Sequence, residues 1–290
     1  MRIFRKPSTA LLAGILGLSG SLPAVDFLRG DVDGSGRIAV SDAIRILVHL
    51  FQSDASAIPC ADAADADDSG AIDLADAVRI LAGLFLGGPA PAAPFPPCGA
   101  DPTEDALGCE EACPPASVYL GREFRADGLF FVIDRSGTMQ DSGELARVKI
   151  ETELLIQALP LGVEFGIILF AGDVIAFPGN GRPAESTDEM KASAVAFIRN
   201  TPGGAGTCGL PALLEALEFA RNSRGRSPAV FYVSDGGCTC QGADYGAYVT
   251  ELIETVTAKN AGLARIHTFA VMEFLEQLAL RNGGTYTEAP

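Results

Sequence analysis

The chain has 290 residues, enough for one large or two modest domains, and its 48% hydrophobic content argues against wholesale disorder. A net charge of −16 argues against a nucleic-acid partner, because binding phosphate needs clustered Lys and Arg. Seven Cys against two His disfavour zinc sites built on His and general acid–base catalysis by His.

The chain begins with Arg2, Arg5 and Lys6, then an apolar run over residues 10–18 and a small, turn-forming stretch to Ala24. This layout predicts a secretory signal peptide over residues 1–24. The apolar run is too short to cross a bilayer, which takes about 20 residues, so no transmembrane helix is expected. Export would make the protein secreted, extracellular or periplasmic, where disulfides are permitted.

Residues 31–51 and 65–85 repeat each other. The pairs Asp31/Asp65, Asp33/Asp67, Ser35/Ser69, Gly36/Gly70, Ile38/Ile72 and Asp42/Asp76 align, and so do Ala43/Ala77, Ile46/Ile80 and Phe51/Phe85. A twelve-residue calcium loop takes side-chain ligands at positions 1, 3, 5 and 12, a carbonyl at 7, and Gly at 6 for a sharp turn. Both repeats fit. The first loop is expected to use Asp31, Asp33, Ser35, the carbonyl of Arg37 and Asp42. The second is expected to use Asp65, Asp67, Ser69, the carbonyl of Ala71, Asp73 and Asp76. Asp73 stands where the first loop has Ala39, so the second loop is expected to hold calcium more firmly. Ile44, Leu47, Val48 and Phe51, like Val78, Leu81, Ala82 and Phe85, share helical spacing and predict a small core. No convincing helix precedes Asp31 or Asp65, and position 12 is Asp rather than Glu. In these respects residues 26–88 resemble the duplicated EF-hand-like loop–helix units of dockerins, which implies a calcium-stabilised anchoring module and a cohesin-like receptor. Arg29-Gly30-Asp31 spells an adhesion tripeptide, but Asp31 is already needed as the first calcium ligand.

Residues 89–116 form a linker and a Cys-containing neck. The Pro-rich stretch over 87–97 predicts an extended, semi-rigid spacer. Cys98 and Cys109 are the preferred disulfide, although connectivity is not readable from sequence and the odd total leaves one Cys over.

From about residue 123 strand and helix patterns alternate, which predicts an α/β fold with a doubly wound, mainly parallel sheet. The small N-terminal α-helical pair precedes it. Strands are expected at 128–134, 163–170, 229–234 and 265–271, with an edge strand at 174–177 ended by Pro178. Helices are expected at 142–159, 187–199, 209–222, 244–260 and 272–282. Asp141 is expected to cap the first, with Glu144 completing a capping box. The run L-F-F-V-I-D-R-S-G-T over 129–138 delivers Asp134, Ser136 and Thr138 to the end of a buried strand. Thr207 ends G-G-A-G-T before a helix, and Asp235 ends the second buried run. In a parallel sheet all five gather at the carboxyl edge, where open α/β sheets bind ligands.

This set resembles the metal-ion-dependent adhesion site of von Willebrand factor A domains, over about residues 117–290. The resemblance implies Ser136, Thr138 and Thr207 as direct ligands of magnesium or another divalent cation, and Asp134 and Asp235 acting through waters. One coordination position is left for an acidic group on a protein partner. A disulfide from Cys208 to Cys238 or Cys240 is suggested by their shared location beside the ion. The implied function is a secreted, non-catalytic adhesion or binding protein. The alternatives are a cohesin-type assembly component anchored by the repeats, or a hydrolase. For a hydrolase, Ser136 lacks a neighbouring His in sequence, and His267 reads as a packed strand residue.

Overall fold

The computed structural model describes residues 25–52, 58–95, 98–110, 113–114, 116–236, 240, 244–270 and 272–288. The signal peptide expected over 1–24 lies outside them. Among the described residues no helix is long and apolar enough to cross a membrane.

The N-terminal part holds α1 (Val40–Phe51), the four-residue α2 (Ala61–Ala64) and α3 (Leu74–Phe85). Helices α1 and α3 pack on each other over Ala43, Ile46, Ala77 and Ile80, with Val32, Ala64 and Ala66 closing the core. The apolar stripe expected to be buried is therefore rotated. Ile44 and Phe51 are 54% and 71% exposed, and their repeat partners Val78 and Phe85 are 55% and 67% exposed. Small Ala43 and Ala77 let the helices approach closely, so the contact forms along the Ala–Ile edge and the larger side chains face outward. A short helix does precede Asp65, contrary to expectation.

The Pro-rich stretch is not a free spacer. Prolines lack an N–H but keep a carbonyl acceptor, and this segment's carbonyls face the repeats. Pro94 O accepts from Arg29 N at 3.0 Å, and Ala90 O accepts from Arg79 Nε at 3.0 Å. Ala92 N donates to Ala66 O at 3.0 Å, and Phe27 and Gly99 exchange backbone bonds of 2.9 and 3.0 Å. The neck disulfides are Cys98–Cys113 and Cys60–Cys109, not Cys98–Cys109. Cys60 belongs to the repeats, and its antiparallel bridge to Cys109 fixes the pairing. Arg29 is fully buried and Asp31 only 8% exposed, so the Arg-Gly-Asp tripeptide is not presented at the surface.

The larger part opens with a hairpin, β1 (Ala116–Tyr119) and β2 (Arg122–Arg125). Both turn residues, Leu120 (φ 47°) and Gly121 (φ 76°), have positive φ, as a two-residue hairpin turn that matches strand twist requires. Then follow β3 (Gly128–Asp134), α4 (Gly137–Asp141), α5 (Glu144–Ala158), β4 (Glu164–Phe170), β5 (Val174–Phe177), β6 (Ala184–Glu185), α6 (Asp188–Asn200) and α7 (Gly209–Asn222). The chain closes with β7 (Pro228–Val233), α8 (Tyr245–Asn260), β8 (Arg265–Ala270), α9 (Phe274–Arg281) and β9 (Tyr286–Glu288). The main sheet runs β5-β4-β3-β7-β8-β9. Strands β4, β3, β7, β8 and β9 are parallel, whereas β5 and β6 run antiparallel to β4.

Strand β3 is buried at every position because both sheet faces are covered. Leu129, Phe131 and Ile133 point to the face shared with α5, α6 and the hairpin, where Tyr119 packs edge-on against Phe131 at 5.1 Å. Phe130 and Val132 point to the other face, under α7 and α8. Burying each such Phe contributes about 1.5–3 kcal/mol.

Helix α5 starts later than expected. Asp141 belongs to α4, and Gly143 with φ 81° breaks the path between the two helices. Glu144 pairs with Arg147 at 2.7 Å instead of completing a capping box.

Candidate metal centres

The chain runs from β3 to β4 on one side and later from α7 to β7 on the other, so the sheet order reverses beside β3. Such a switch point leaves a crevice beyond the carboxyl ends of the two strands. Parallel register pairs Ile133 with Val233, so Asp134 and Ser234 leave the sheet side by side.

Asp134 is completely buried. Its Oδ1 accepts from Ser136 N at 2.8 Å and its Oδ2 accepts from Ser234 Oγ at 2.7 Å. Burial pushes its carboxyl up to about 6, the nearby Asp235 charge adds to this, and the bonds from Ser234 and Ser136 oppose it. Ser136 Oγ and Thr138 Oγ1 lie 3.2 Å apart, so the two hydroxyls expected to act together do face each other. Ser136 and Thr207 are buried, and Asp235 is half-buried.

The loop bearing Thr207 is tied to the same edge by three backbone bonds. Gly204 N donates to Arg135 O, Gly172 N to Ala205 O and Cys208 N to Ala171 O, each at 2.7 Å. The approach is close enough that a Cβ on Gly204 would lie 2.8 Å from Ala171 Cβ, so a side chain there would push the loop away from the sheet edge. Buried Arg135 reaches over this loop to Pro202 O at 3.3 Å and forms an ion pair with Asp173. Cys208 bonds to Cys240, which joins the Thr207 loop to the segment after Asp235. Cys238, the other expected partner, lies outside the described residues.

Ser234 was missed as a site residue. It lies within the V-S-D-G motif, and its hydroxyl both donates to Asp134 and accepts from Gly236 N at 3.0 Å. It thus links the two carboxylate-bearing strand ends. The signal available in sequence was its place one residue before Asp235 on a strand parallel to β3. A cavity of about 280 Å³ opens beside Asp235, with Met139, Arg147 and Phe269 in its wall. The grouped side chains offer only hydroxyl and carboxylate oxygens, a donor set that fits a hard divalent cation such as magnesium.

In the repeats, Asp31, Asp33 and Asp42 each bring one carboxylate oxygen within 4.8 Å of the others, and Asp65, Asp67 and Asp76 do the same. The position-6 glycines bend the loops with φ 77° at Gly36 and 80° at Gly70. Asp31 accepts from Gly36 N at 2.7 Å and Asp65 from Gly70 N at 2.7 Å. The carboxyl at position 12 ties each loop shut: Asp42 accepts from Val32 N at 2.8 Å and Ala39 N at 2.7 Å, and Asp76 accepts from Asp73 N at 2.8 Å. Ser35 Oγ and Ser69 Oγ each donate at 3.2 Å to the expected carbonyl ligands, Arg37 O and Ala71 O. Burial, and then the charge of Asp42, raises Asp31 to about 7; burial likewise raises Asp42 and Asp76 to about 6. Asp67 Oδ1 is buried with no hydrogen-bond partner. In the second loop this orphaned oxygen lies among the crowded carboxylates of Asp65, Asp67 and Asp76, an arrangement that fits a calcium ion. Asp73 stands apart from this cluster: it is exposed, and it caps α3 by accepting from Ala75 N at 2.6 Å.

His267 is buried in β8, with its ring stacked on Phe231 at 5.4 Å and Nδ1 facing Thr285 Oγ1 at 2.9 Å. Burial, with Arg265 adding, lowers it to about 4, as suits a packed core residue. His49 is exposed on α1.

A doubly wound sheet with oxygen donors at its switch point defines a class of α/β ligand-binding domain. Within that class, residues 129–237 match the family model described as von Willebrand factor type A domain, a span that contains Asp134, Ser136, Thr138, Thr207 and Asp235. The match supports a von Willebrand A domain in the larger part of the chain. Among solved structures the chain is similar to a von Willebrand factor type A protein from Catenulispora acidiphila, with 16% identity, a TM-score of 0.49, and coverage of 56% of this chain and 38% of that one. It is similar to the pilus adhesin SpaC from Lactobacillus rhamnosus GG, with 11% identity, a TM-score of 0.44, and coverage of 56% and 28%. It is also similar to manganese-loaded TRAP protein from Plasmodium vivax, with 17% identity, a TM-score of 0.40, and coverage of 56% and 67%. This chain thus spans well under half the length of the first two. No curated protein matches it.

Proposed function

We propose that the chain is an exported, non-catalytic binding protein whose A-domain site holds a divalent cation, magnesium in the first instance, and through it an acidic group of a protein partner. The observation that carries this reading is the junction at Asp134. A buried carboxylate is held by Ser136 and Ser234, beside two hydroxyls that face each other at the switch point. Ser136, Thr138 and Thr207 would hold the ion directly, and Asp134 and Asp235 through waters. With few charged direct ligands the ion stays electrophilic, and a partner carboxylate completes its shell. His267, the one His of the larger part, is packed in β8 with its ring on Phe231 and Nδ1 facing Thr285 Oγ1, which disfavours the hydrolase reading. Residues 26–88 act as a dockerin-like calcium module, 89–116 as linker and neck, and 117–290 as the A domain, after removal of 1–24.

The test is retention of a partner by the full chain in magnesium, in chelator, and with Asp134→Ala. Retention should require both the ion and Asp134, and should disappear when the partner's carboxylates are amidated. Equal retention by Asp134→Ala removes the mechanism.

One observation favours a second reading, in which the repeats are the docking half and bind a cohesin-like receptor. Val40, Ile44 and Phe51 are exposed on α1, and Leu74, Val78 and Phe85 are exposed at the equivalent positions of α3. Replacing Phe51 and Phe85 by Ser separates the readings, because it should abolish capture only if the repeats make the contact.

A further inference from the structure

Both calcium loops leave a third group of carboxylates unexplained. Asp62 in α2, and Asp101 and Asp105 in the neck, each bring a carboxylate oxygen within 4.8 Å of the other two. None of the three belongs to a twelve-residue loop. Asp62 is only 7% exposed, and its Oδ1 is buried with no hydrogen-bond partner. A buried carboxylate without a partner is costly unless a cation meets it.

Arg29 is the obvious candidate for that cation, but its donors are all engaged elsewhere. Nε donates to Ala93 O at 2.7 Å, and Nη1 donates to Asp62 O at 3.1 Å and Asp65 O at 2.8 Å. Nη2 meets Asp101 Oδ1 at 2.7 Å and Asp68 Oδ1 at 2.8 Å. A guanidinium has five N–H groups, and these five acceptors use them all. Arg29 therefore hydrogen-bonds Asp62 through the backbone carbonyl and leaves the buried Oδ1 without a hydrogen-bond donor. Asp105 accepts only from Leu107 N, at 2.7 Å, among the described hydrogen bonds.

We propose that Asp62, Asp101 and Asp105 form a third calcium site, which fastens the neck to the repeats. The donors are all carboxylate oxygens, which favours a hard cation, and calcium tolerates an irregular set completed by water. The site lies where neck and repeats are already joined, beside the Cys60–Cys109 disulfide and the bond from Ala61 N to Gly108 O at 2.8 Å. Asp105 is exposed at the rim, which gives an ion a route in. An oxygen of Asp105 also lies within 4.8 Å of oxygens of Asp65 and Asp68, so Asp105 could instead serve the second loop, and the test must separate the two.

Equilibrium dialysis of the full, oxidised chain against radiolabelled calcium counts the ions bound. Asp105→Asn and Asp76→Asn should each lose one ion, and the double variant should lose two, because the sites are distinct. Asp62→Asn should also lose one, and Asp105 is exposed enough that its replacement leaves folding intact. A double variant that loses no more than Asp76→Asn alone assigns Asp105 to the second loop and overturns the proposal. Unchanged stoichiometry in Asp105→Asn overturns it as well.

Discussion

Ser234→Ala is the sharpest probe of how the A-domain site is built. Asp134 is fully buried and accepts from Ser136 on one side and from the Ser234 hydroxyl on the other. The variant removes the second and leaves Gly236 N without its acceptor. A hydrogen bond to a charged group contributes about 1.5–3 kcal/mol, and each 1.4 kcal/mol is tenfold in an equilibrium. Magnesium affinity should therefore fall about ten- to hundredfold, which agrees with the usual effect of removing a group that orients a ligand. The loss should also depend on pH. Asp134 already titrates at about 6, and without the Ser234 hydroxyl its carboxyl moves further up, so protons compete with the ion over a wider range. Isothermal titration with magnesium between about pH 5.5 and 8, with Asp134→Ala as the blank, reads both effects. Wild-type affinity and an unchanged pH profile in Ser234→Ala would show that the Asp134 carboxylate does not support the ion.

Two further outcomes concern the repeats. Without calcium, Asp31 at about 7 and Asp42 and Asp76 at about 6 keep protons that the unfolded chain has released by then. The folded state binds more protons, so stability in chelator should fall as pH rises from about 4 to 7. Calcium displaces those protons, so its stabilising effect should grow across the same window; thermal melts in chelator and in millimolar calcium check both slopes, and a chelator melt that rises with pH contradicts the cause. Ile80→Ala should cost about 2–5 kcal/mol of the repeats' stability, whereas Phe85→Ala should stay within about 0.5 kcal/mol. Urea denaturation of the calcium-loaded chain ranks them, and the reverse order would restore the helix face expected from spacing alone.

The strands that carry the site were legible because each is a continuous apolar run ending in a polar residue. Residues 128–134 and 174–177 fall as expected, the β4 and β7 boundaries shift by no more than a residue at either end, and β8 begins at Arg265 as expected. The hairpin was not, because Leu120 adopts a positive φ that nothing about a leucine announces. Asp141 looks like a helix cap from its spacing to Glu144, but the nearby Gly143 takes the left-handed conformation and divides the segment. The faces of α1 and α3 were misjudged for a different reason. Periodicity identifies an apolar stripe but not its partner, and here two alanines set the contact and turned Phe51 and Phe85 outward. Cysteine pairing was fixed by which segments meet in space, as the Cys60–Cys109 bridge illustrates.

The placement of the repeats bears on whether calcium bound there would influence the A-domain site. The first loop rests on the amino ends of the sheet strands: Arg37 Nη2 donates to Gly262 O at 2.8 Å, and Arg265 Nη1 donates to Gly36 O at 3.4 Å. Asp134 and Asp235 lie at the carboxyl ends. The seven residues of β3 separate the two edges by about 23 Å, at about 3.3 Å per residue. Losing the first loop's ion together with one carboxylate changes the charge there by one unit, which over that distance at an effective dielectric of about 20 is about 0.7 kcal/mol, roughly threefold, before salt lowers it. Movement along β8 from Arg265 is the remaining route, and that strand is locked between β7 and β9. Magnesium affinity at the A-domain site should therefore change by less than about threefold when Asp31 and Asp65 are both replaced by Asn. A larger change measured by titration would mean that the sheet transmits a shift from the loops, with the Arg265–Gly36 contact as the first link to break.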